Sequence, residues 1–228
     1  MSSISVLLVD DHSIVRQGLK ALLVSEGDIN VVGEAQSGRD AVKMVERLWP
    51  EVVIMDLAMP LLNGWEATRQ ILKAMPTAKV IILTSYDTEE HIHQAIAAGA
   101  AAYVLKQTAA ADLVKAIREV KDGNAYFSPA VAQRLREHTC RSTPDTHPTD
   151  VQGAELTVRE AEVLQLIAEG FANKQIAGEL NLSVKTVEKH RQQLMNKLNL
   201  HCTADLVRHA AGKGVIETHL AGVPDATW

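Results

Sequence analysis

The chain has 228 residues, of which 46% are hydrophobic, so it is long and apolar enough for one large domain or two small ones, and wholesale disorder is excluded. Its net charge of −5 gives no overall indication of a nucleic-acid partner, and its two cysteines indicate a reduced protein rather than a disulfide framework. The longest apolar run, residues 95–105, is too short for a membrane-spanning helix, and the N-terminus lacks the basic residues of a signal peptide. We therefore expect a cytoplasmic protein with no membrane partner.

The first half alternates between short apolar runs and amphipathic segments. The runs predicted to be strands are SVLLV (5–9), VVGEA (31–35), VVIM (52–55), VIILT (80–84) and AYVL (102–105). Helical patterns separate them, and two of these patterns end on Gly99 and Gly123, as helix C-termini often do. We predict an α/β domain at residues 1–123 with a doubly wound, five-stranded parallel sheet in the flavodoxin-like order 2-1-3-4-5.

Residues 124–153 are predicted to be a linker, because residues 138–153 are rich in Pro, Thr and Asp and show no periodicity. A short helix is expected near 128–138. The linker contains His138, Cys140 and His147, but their spacing fits no common zinc pattern, so we expect no metal there.

Residues 154–212 are predicted to form an all-α domain of four helices, and residues 213–228 a loose tail. The first of these helices starts with a capping box, in which Thr157 is the N-cap and Glu160 follows three residues later. Ser183 is the expected N-cap of a longer helix over 184–198.

Polar side chains stand at the carboxyl ends of the predicted strands, where open parallel sheets bind their ligands. In chain order they are Asp10 and Asp11, Asp56, Thr84, and Lys106. Carboxylates that share one crevice repel each other unless a cation lies among them, and oxygen ligands favour Mg²⁺. A lysine suits a phosphoryl oxygen, and a carboxylate can accept a phosphoryl group as an acyl phosphate. We therefore predict that Asp56 is a phosphoacceptor beside a Mg²⁺ site.

Each of these residues also has an ordinary explanation. Asp11 could cap the helix that begins near Ser13, and a single Lys or Thr after a strand is usually uninformative. The complete set at four strand ends favours the functional interpretation. An enzyme is the alternative, namely a Mg²⁺-dependent phosphatase with an aspartyl nucleophile. That chemistry usually needs a second acid two residues after the nucleophile, where this chain has Ala58.

The strand-end residues, together with the segment DLAMPLLNG (56–64), resemble the receiver domain of bacterial two-component response regulators over residues 4–122. The resemblance implies that a partner sensor histidine kinase supplies the phosphoryl group to Asp56, and that Lys106 pairs with that group. It also implies that Thr84 and Tyr103 act as a switch.

The same resemblance implies a set of Mg²⁺ ligands. They are Asp11, Asp56 and the backbone carbonyl of Ala58, with Asp10 assisting through water. Leu61 stands where family members often carry Gly after the Met-Pro pair.

A short helix, a tight turn and a basic helix at 184–198 make a helix-turn-helix pattern. On spacing alone, an amphipathic helix with a solvated charged face explains residues 184–198 equally well. However, the segment from LTVRE (156–160) to NKLNL (196–200) resembles the LuxR-type helix-turn-helix of NarL/FixJ response regulators.

This second resemblance implies contacts with double-stranded promoter DNA. The positions that correspond to base contacts are Glu188, Lys189 and Gln192, and the residues expected to contact phosphates are Lys174, Lys185, Thr186 and Arg191. It also implies a homodimer on DNA, formed through residues 203–210. We therefore expect a phosphorylation-dependent transcription regulator without a metabolic substrate. A receiver whose helical half binds another protein is a further alternative.

Overall fold

The computed structural model describes residues 3–133 and 156–216. The predicted linker from residue 134, with its His138, Cys140 and His147, and the predicted tail from residue 217 lie outside the described residues. The short helix expected near 128–138 starts at residue 129, and its helical residues are described as far as 133. Within the two described ranges, no helix combines the length and apolarity needed to cross a membrane.

The first described range folds around one parallel sheet. Its strands are β1 (Ile4–Val9), β2 (Ile29–Ala35), β3 (Val52–Met55), β4 (Lys79–Thr84), β5 (Ala102–Leu105) and β6 (Tyr126–Phe127). They lie in the order β2-β1-β3-β4-β5-β6, so the predicted order of the first five strands is confirmed.

The sheet formed by the described residues has six strands, and the prediction of five needs correction. Tyr126 pairs with Ala102 and Phe127 with Tyr103, so β6 adds to the β5 edge within the segment predicted to be a linker. A strand of two residues is too short to show a periodic pattern, and for that reason β6 was not predicted.

Helices cover both faces of the sheet. They are α1 (Ser13–Ser25), α2 (Gly38–Leu48), α3 (Gly64–Ala74), α4 (Glu89–Ala97) and α5 (Ala109–Lys121). Alternate strand residues enter two separate cores: Leu7 and Val53 pack with α2, α3 and α4, whereas Val6 and Ile54 pack with α1 and α5. Burial on both faces explains why the strands are continuously apolar.

The second described range is helical, as predicted, with α6 (Val158–Ala168), α7 (Asn173–Leu180), α8 (Val184–Leu198) and α9 (Thr203–Gly212). Thr157 and Glu160 form the expected capping box at the start of α6, with Glu160 Oε2 accepting from the Thr157 N–H at 2.8 Å. Ser183 caps α8 by accepting from the Thr186 N–H at 3.1 Å. Each cap satisfies backbone donors that a helix start leaves unpaired, which fixes where α6 and α8 begin.

Candidate functional site

The strand ends bring the predicted polar residues to one edge of the sheet. β1 and β3 are neighbours, and the Asp56 N–H donates to the Val9 carbonyl at 2.9 Å, so Asp10 and Asp56 extend adjacent strands. Lys106 begins the 3₁₀ turn after β5. Its Nζ lies 2.7 Å from Asp56 Oδ2 and 2.9 Å from Asp10 Oδ2. One ammonium group therefore bridges two carboxylates that come from different strands.

The carboxylates of this site are only partly satisfied by the protein. Asp56 is 3% exposed and Asp10 is 2% exposed. Asp56 Oδ1 accepts from the Leu57 N–H at 2.8 Å, and Asp10 Oδ1 accepts from the His12 N–H at 2.8 Å. Asp10 Oδ2 forms an ion pair with Lys106, and Asp11 Oδ1, although near His12, receives no hydrogen bond from the described residues. The site therefore has more carboxylate oxygens than hydrogen-bond donors among the described residues.

Burial has opposite effects on the acid and the base of the central pair. It raises the pKa of Asp56 to about 6, an effect that Lys106 partly offsets and Asp10 reinforces. Burial also disfavours the ammonium form of Lys106, but the nearby carboxylates outweigh this effect and raise the pKa of Lys106. At neutral pH, therefore, a charged ammonium group faces a carboxylate that is largely ionised.

The donor set fits a divalent cation. Asp10, Asp11, His12 and Asp56 each offer a ligand atom, and these four atoms lie within 4.8 Å of one another. Carboxylate oxygens that lack donors are the ligands that Mg²⁺ prefers. The alternative role for Asp11 is not observed, because His12 is the N-cap residue of α1 and no side chain caps that helix.

The loop from Leu57 to Asn63 shapes the approach to Asp56. Asn63 caps α3 by accepting from the Glu66 N–H at 3.0 Å. Residue 64 has to be glycine, because a Cβ there would overlap the Asp56 carbonyl oxygen. Leu61 has a φ of +68°, so it adopts the left-handed conformation that glycine favours despite its side chain.

Thr84 and Tyr103 contact the same stretch of backbone. Thr84 is buried, and its Oγ1 accepts from the Tyr86 N–H at 3.2 Å. The hydroxyl group of Tyr103, which is 1% exposed, donates to the Tyr86 carbonyl at 2.9 Å. A displacement of Thr84 would therefore move the segment that Tyr103 holds.

Two further residues at this site were not predicted. Arg16 is buried in α1, and its Nη1 donates to the Asp10 carbonyl at 2.6 Å, which fixes the end of β1. His12 offers a nitrogen atom to the acidic cluster. Arg16 had a detectable signal, since it shares the buried face of α1 with Leu19 and Leu23, where an apolar residue is usual.

The second candidate site is the surface of α8. Its side chains that correspond to base contacts, Glu188, Lys189 and Gln192, are all exposed. Lys185 on α8 and Lys174 on α7 are exposed as well. The opposite face of α8 is buried through Val187 and Leu194. This helix therefore presents a polar face while its apolar face holds it on the domain.

Two of the predicted phosphate contacts already have partners within the domain. Arg191 donates from Nη1 to Asn173 Oδ1 at 2.8 Å and from Nη2 to Thr203 Oγ1 at 2.7 Å, so it joins the starts of α7 and α9. The Thr186 hydroxyl lies 2.8 Å from the hydroxyl of Ser183, the N-cap of α8. Both residues therefore form hydrogen bonds within the domain that the sequence did not reveal.

Family models match both halves of the chain. Residues 6–118 match the model described as "Response regulator receiver domain", and residues 154–210 match "Bacterial regulatory proteins, luxR family". Among curated proteins, the chain is 36% identical over 215 residues to "Response regulator protein VraR" of Staphylococcus aureus, covering 94% of this chain and 100% of VraR. It is also 36% identical over 214 residues to "Uncharacterized transcriptional regulatory protein YxjL" of Bacillus subtilis, covering 94% of this chain and 98% of YxjL.

Solved structures of similar proteins span both domains. A structure of the Salmonella typhimurium RcsB response regulator matches with a TM-score of 0.60 and 29% identity, covering 93% of this chain and 99% of that one. A structure of two RcsB dimers bound to two parallel DNAs also matches, with a TM-score of 0.57 and 28% identity over 92% of this chain and 98% of that one.

Proposed function

The chain belongs to the LuxR-family response regulators, which are two-component transcriptional regulators, and on that premise we propose that phosphorylation of Asp56 controls its binding to promoter DNA. The observation that carries this proposal is the position of Lys106, whose Nζ lies within 2.9 Å of both Asp10 and Asp56 at the carboxyl ends of the strands. The ammonium group neutralises part of the charge there and is placed to pair with an incoming phosphoryl oxygen.

The proposed donor is a phosphohistidine on a partner sensor kinase. A carboxylate oxygen of Asp56 attacks the phosphorus atom, the new O–P bond forms as the P–N bond breaks, and the electron pair returns to the histidine nitrogen. The Leu57 N–H, 2.8 Å from Asp56 Oδ1, orients the carboxylate during this step. Slow hydrolysis of the acyl phosphate then ends the signal, and we expect no metabolic substrate.

Asp10, Asp11 and Asp56, with the backbone carbonyl of Ala58, are the proposed Mg²⁺ ligands. Asp11 Oδ1, which receives no hydrogen bond from the described residues, supports this assignment. When bound, Mg²⁺ would neutralise charge on the carboxylates and on the phosphoryl oxygens. Asp11 is more exposed than the buried Asp10, so this side of the site reaches solvent.

The proposed switch links the site to the surface through Thr84 and Tyr103. A phosphoryl group adds a charge near −2 and three acceptor oxygens, and the Thr84 hydroxyl is the donor on the neighbouring strand that can turn towards it. Both Thr84 and Tyr103 bond to Tyr86, at 3.2 and 2.9 Å, so the β4–α4 segment is where this change would be transmitted.

For the output we propose that α8 enters the major groove of double-stranded DNA. Glu188, Lys189 and Gln192 would contact base edges, while Lys174, Lys185, Thr186 and Arg191 would contact phosphates. The exposed polar face of α8 supports this assignment. Dimerisation would use α9, where Thr203 and Arg208 are exposed, and it would match a DNA site with two-fold symmetry.

The test compares the wild type with Asp56→Asn, using acetyl phosphate as a small phosphodonor in the presence of Mg²⁺. We expect one phosphoryl group per wild-type chain, measured by intact mass, and none on Asp56→Asn. Equal uptake by both proteins would show that another residue accepts the phosphate and would reject the proposal. Turnover of small phosphate esters at a sustained rate would favour the phosphatase alternative instead.

A further inference from the structure

The imidazole of His12 lies beside the acidic cluster of Asp10, Asp11 and Asp56, and neither packing nor helix capping accounts for it. Its side chain is 58% exposed, so burial in a core does not explain it. His12 occupies the N-cap position of α1, yet its side chain forms no capping hydrogen bond. Helices favour Ser, Thr, Asp or Asn at this position, because those side chains accept from N–H groups of the first turn. The contacts of the imidazole with the carboxylates offer another role.

The backbone holds the imidazole close to two of the proposed metal ligands. The His12 N–H donates to Asp10 Oδ1 at 2.8 Å. Its Nδ1 lies 2.8 Å from Asp11 Oδ1 and 3.4 Å from Asp10 Oδ1. Asp11 Oδ1 nevertheless receives no hydrogen bond from the described residues. A nitrogen atom and an oxygen atom therefore approach each other without a hydrogen bond between them, as two ligands of one cation do.

The distances around Nδ1 suit neighbouring ligands of one small ion. Two ligand atoms that each lie about 2.1 Å from an ion, at right angles to each other, are about 3.0 Å apart. The two distances from His12 Nδ1, 2.8 and 3.4 Å, fall on either side of that value. Together with an oxygen of Asp56, the four ligand atoms lie within 4.8 Å of one another. One ion among them would have the nitrogen and the carboxylate oxygens within reach.

A nitrogen ligand changes which cation a site favours. Mg²⁺ binds oxygen ligands and gains little from an imidazole, whereas the divalent ions of the first transition series bind imidazole well. Among those ions, Mn²⁺ also accepts carboxylate and water oxygens in an octahedral arrangement. A set of three carboxylates and one imidazole therefore matches Mn²⁺ better than a set of carboxylates alone does.

We propose that His12 binds the metal ion through Nδ1 and thereby raises the affinity of this site for Mn²⁺ relative to Mg²⁺. This inference rests on the metal site of the proposed function, and it adds a ligand and a preferred ion to that site. His12 is thus a specificity-determining residue for the phosphorylation of Asp56. Its nitrogen does not contact the phosphoryl group, but it determines which ion neutralises that group.

The test uses the full-length chain with two substitutions at residue 12. His12→Ala removes the imidazole, while His12→Gln keeps a polar side chain whose amide nitrogen has no free electron pair for a metal ion. Both substitutions are at an exposed position, so the fold should tolerate them. His93→Ala is the matched control, because His93 is also exposed but lies on α4, outside the cluster.

The first readout detects the bond between the metal ion and the nitrogen atom. Electron spin-echo spectroscopy of the chain loaded with Mn²⁺ shows a modulation when a nitrogen nucleus is bound to the ion. We expect this nitrogen modulation in the wild type and in His93→Ala, and its loss in His12→Ala and His12→Gln. Its absence from the wild type, or its persistence in both variants of residue 12, would overturn the inference.

The second readout is the preference between the two ions. Carboxylates alone also discriminate between Mn²⁺ and Mg²⁺, so the informative quantity is the change caused by the substitution. The ratio of the Mg²⁺ to the Mn²⁺ dissociation constant, measured by calorimetry, should fall by about tenfold in His12→Ala and His12→Gln. It should stay within about twofold of the wild-type ratio in His93→Ala. An unchanged ratio in both variants of residue 12 would contradict the proposed selectivity.

The third readout connects the ion to the reaction. Phosphate uptake from acetyl phosphate is measured over a series of Mn²⁺ concentrations. The Mn²⁺ concentration that gives half the maximal rate should rise by about tenfold in His12→Ala, because the weaker site needs more of the ion. The same half-maximal concentration in the wild type and in His12→Ala would show that the imidazole does not bind the ion used in the reaction.

The two proposals fail in different ways. If the wild type takes up no phosphate with either ion, the proposed function fails and this inference fails with it. If phosphate uptake requires Asp56 and a divalent ion, but the variants of residue 12 behave like His93→Ala, the inference fails alone.

Discussion

At the scale of the residue, the Asp56 carboxyl group is buried, and burial disfavours its ionised form. Its pKa of about 6 in the folded chain lies above its ordinary value of 3.8, so the folded state binds this proton more tightly than the unfolded state does. The group's contribution to stability is therefore fully present below pH 3.8 and is lost as the pH rises through about 6. A metal-free chain at neutral pH thus carries a reactive carboxylate at a cost in stability.

Asp56→Asn should therefore stabilise the metal-free chain at pH 7.5, by about 1–3 kcal/mol, because each unit of pKa shift corresponds to about 1.4 kcal/mol. The gain should shrink as the pH falls from 6 and vanish only well below pH 3.8, where the wild-type carboxyl is protonated in both states. Urea unfolding in the presence of EDTA at several pH values measures this. Glu46→Gln, at an exposed position of α2, should change nothing. A less stable Asp56→Asn at pH 7.5 would refute the expectation.

The site residues that could be predicted are those whose place in the fold follows from their place in the sequence. Asp10, Asp56 and Lys106 each follow a recognisable strand, and parallel strands place their carboxyl ends at one edge. The hydrogen-bond partners of Arg16 and Gln165 could not be predicted, since they include backbone groups that only the packing of α1 and α6 brings within reach. Which helix face meets those groups depends on how α1 and α6 are rotated against the sheet and the loop.

At the scale of the element, the two faces of α8 differ: one packs in the domain core and the other is exposed. Val187 and Leu194 are buried in the domain core, while Lys185 and Lys189 are exposed. Sequence spacing predicts both faces because the 3.6-residue period separates them. It does not distinguish a groove-reading face from a solvated one, and for that reason the DNA contacts rested on resemblance. The hydrogen bonds of Arg191 to α7 and α9 depend on packing, which spacing alone does not specify.

Two variants distinguish the proposed base contact from the proposed phosphate contact. Lys189→Ala should weaken binding to the specific site by about 1–3 kcal/mol, while binding to unrelated DNA changes little, because a base contact carries the selection. Lys174→Ala should weaken binding to all DNA and lower the slope of log affinity against log salt by about 1, because it removes one phosphate contact. Fluorescence anisotropy titrations over a range of salt concentrations measure both.

Lys73→Ala is the matched control for these variants, since it removes an equal charge from an exposed position of α3 in the other domain. It should leave both affinities and the salt slope unchanged. If Lys189→Ala and Lys174→Ala lower both affinities equally with the same salt slope, the division between base contacts and phosphate contacts is wrong.

At the scale of the whole molecule, the described structure has its two domains docked with the polar face of α8 open. The contacts between the domains join residues far apart in the chain, such as Leu61 and Glu169, so no local pattern could reveal them. The two domain folds were predictable because each buries its own core with its own periodic elements. The contact between the domains instead depends on a few polar side chains, which the sequence of either domain alone would assign to a solvent-exposed surface.

The most direct measurement of the central claim is a pull-down of genomic DNA fragments by the full-length chain with and without acetyl phosphate and Mg²⁺. We predict that the phosphodonor changes the enrichment of a reproducible set of fragments for the wild type, and that Asp56→Asn retrieves the same fragments to the same extent under both conditions. A wild type that does not respond, or an Asp56→Asn variant that responds as the wild type does, would contradict the claim that a phosphoryl group on Asp56 controls DNA binding.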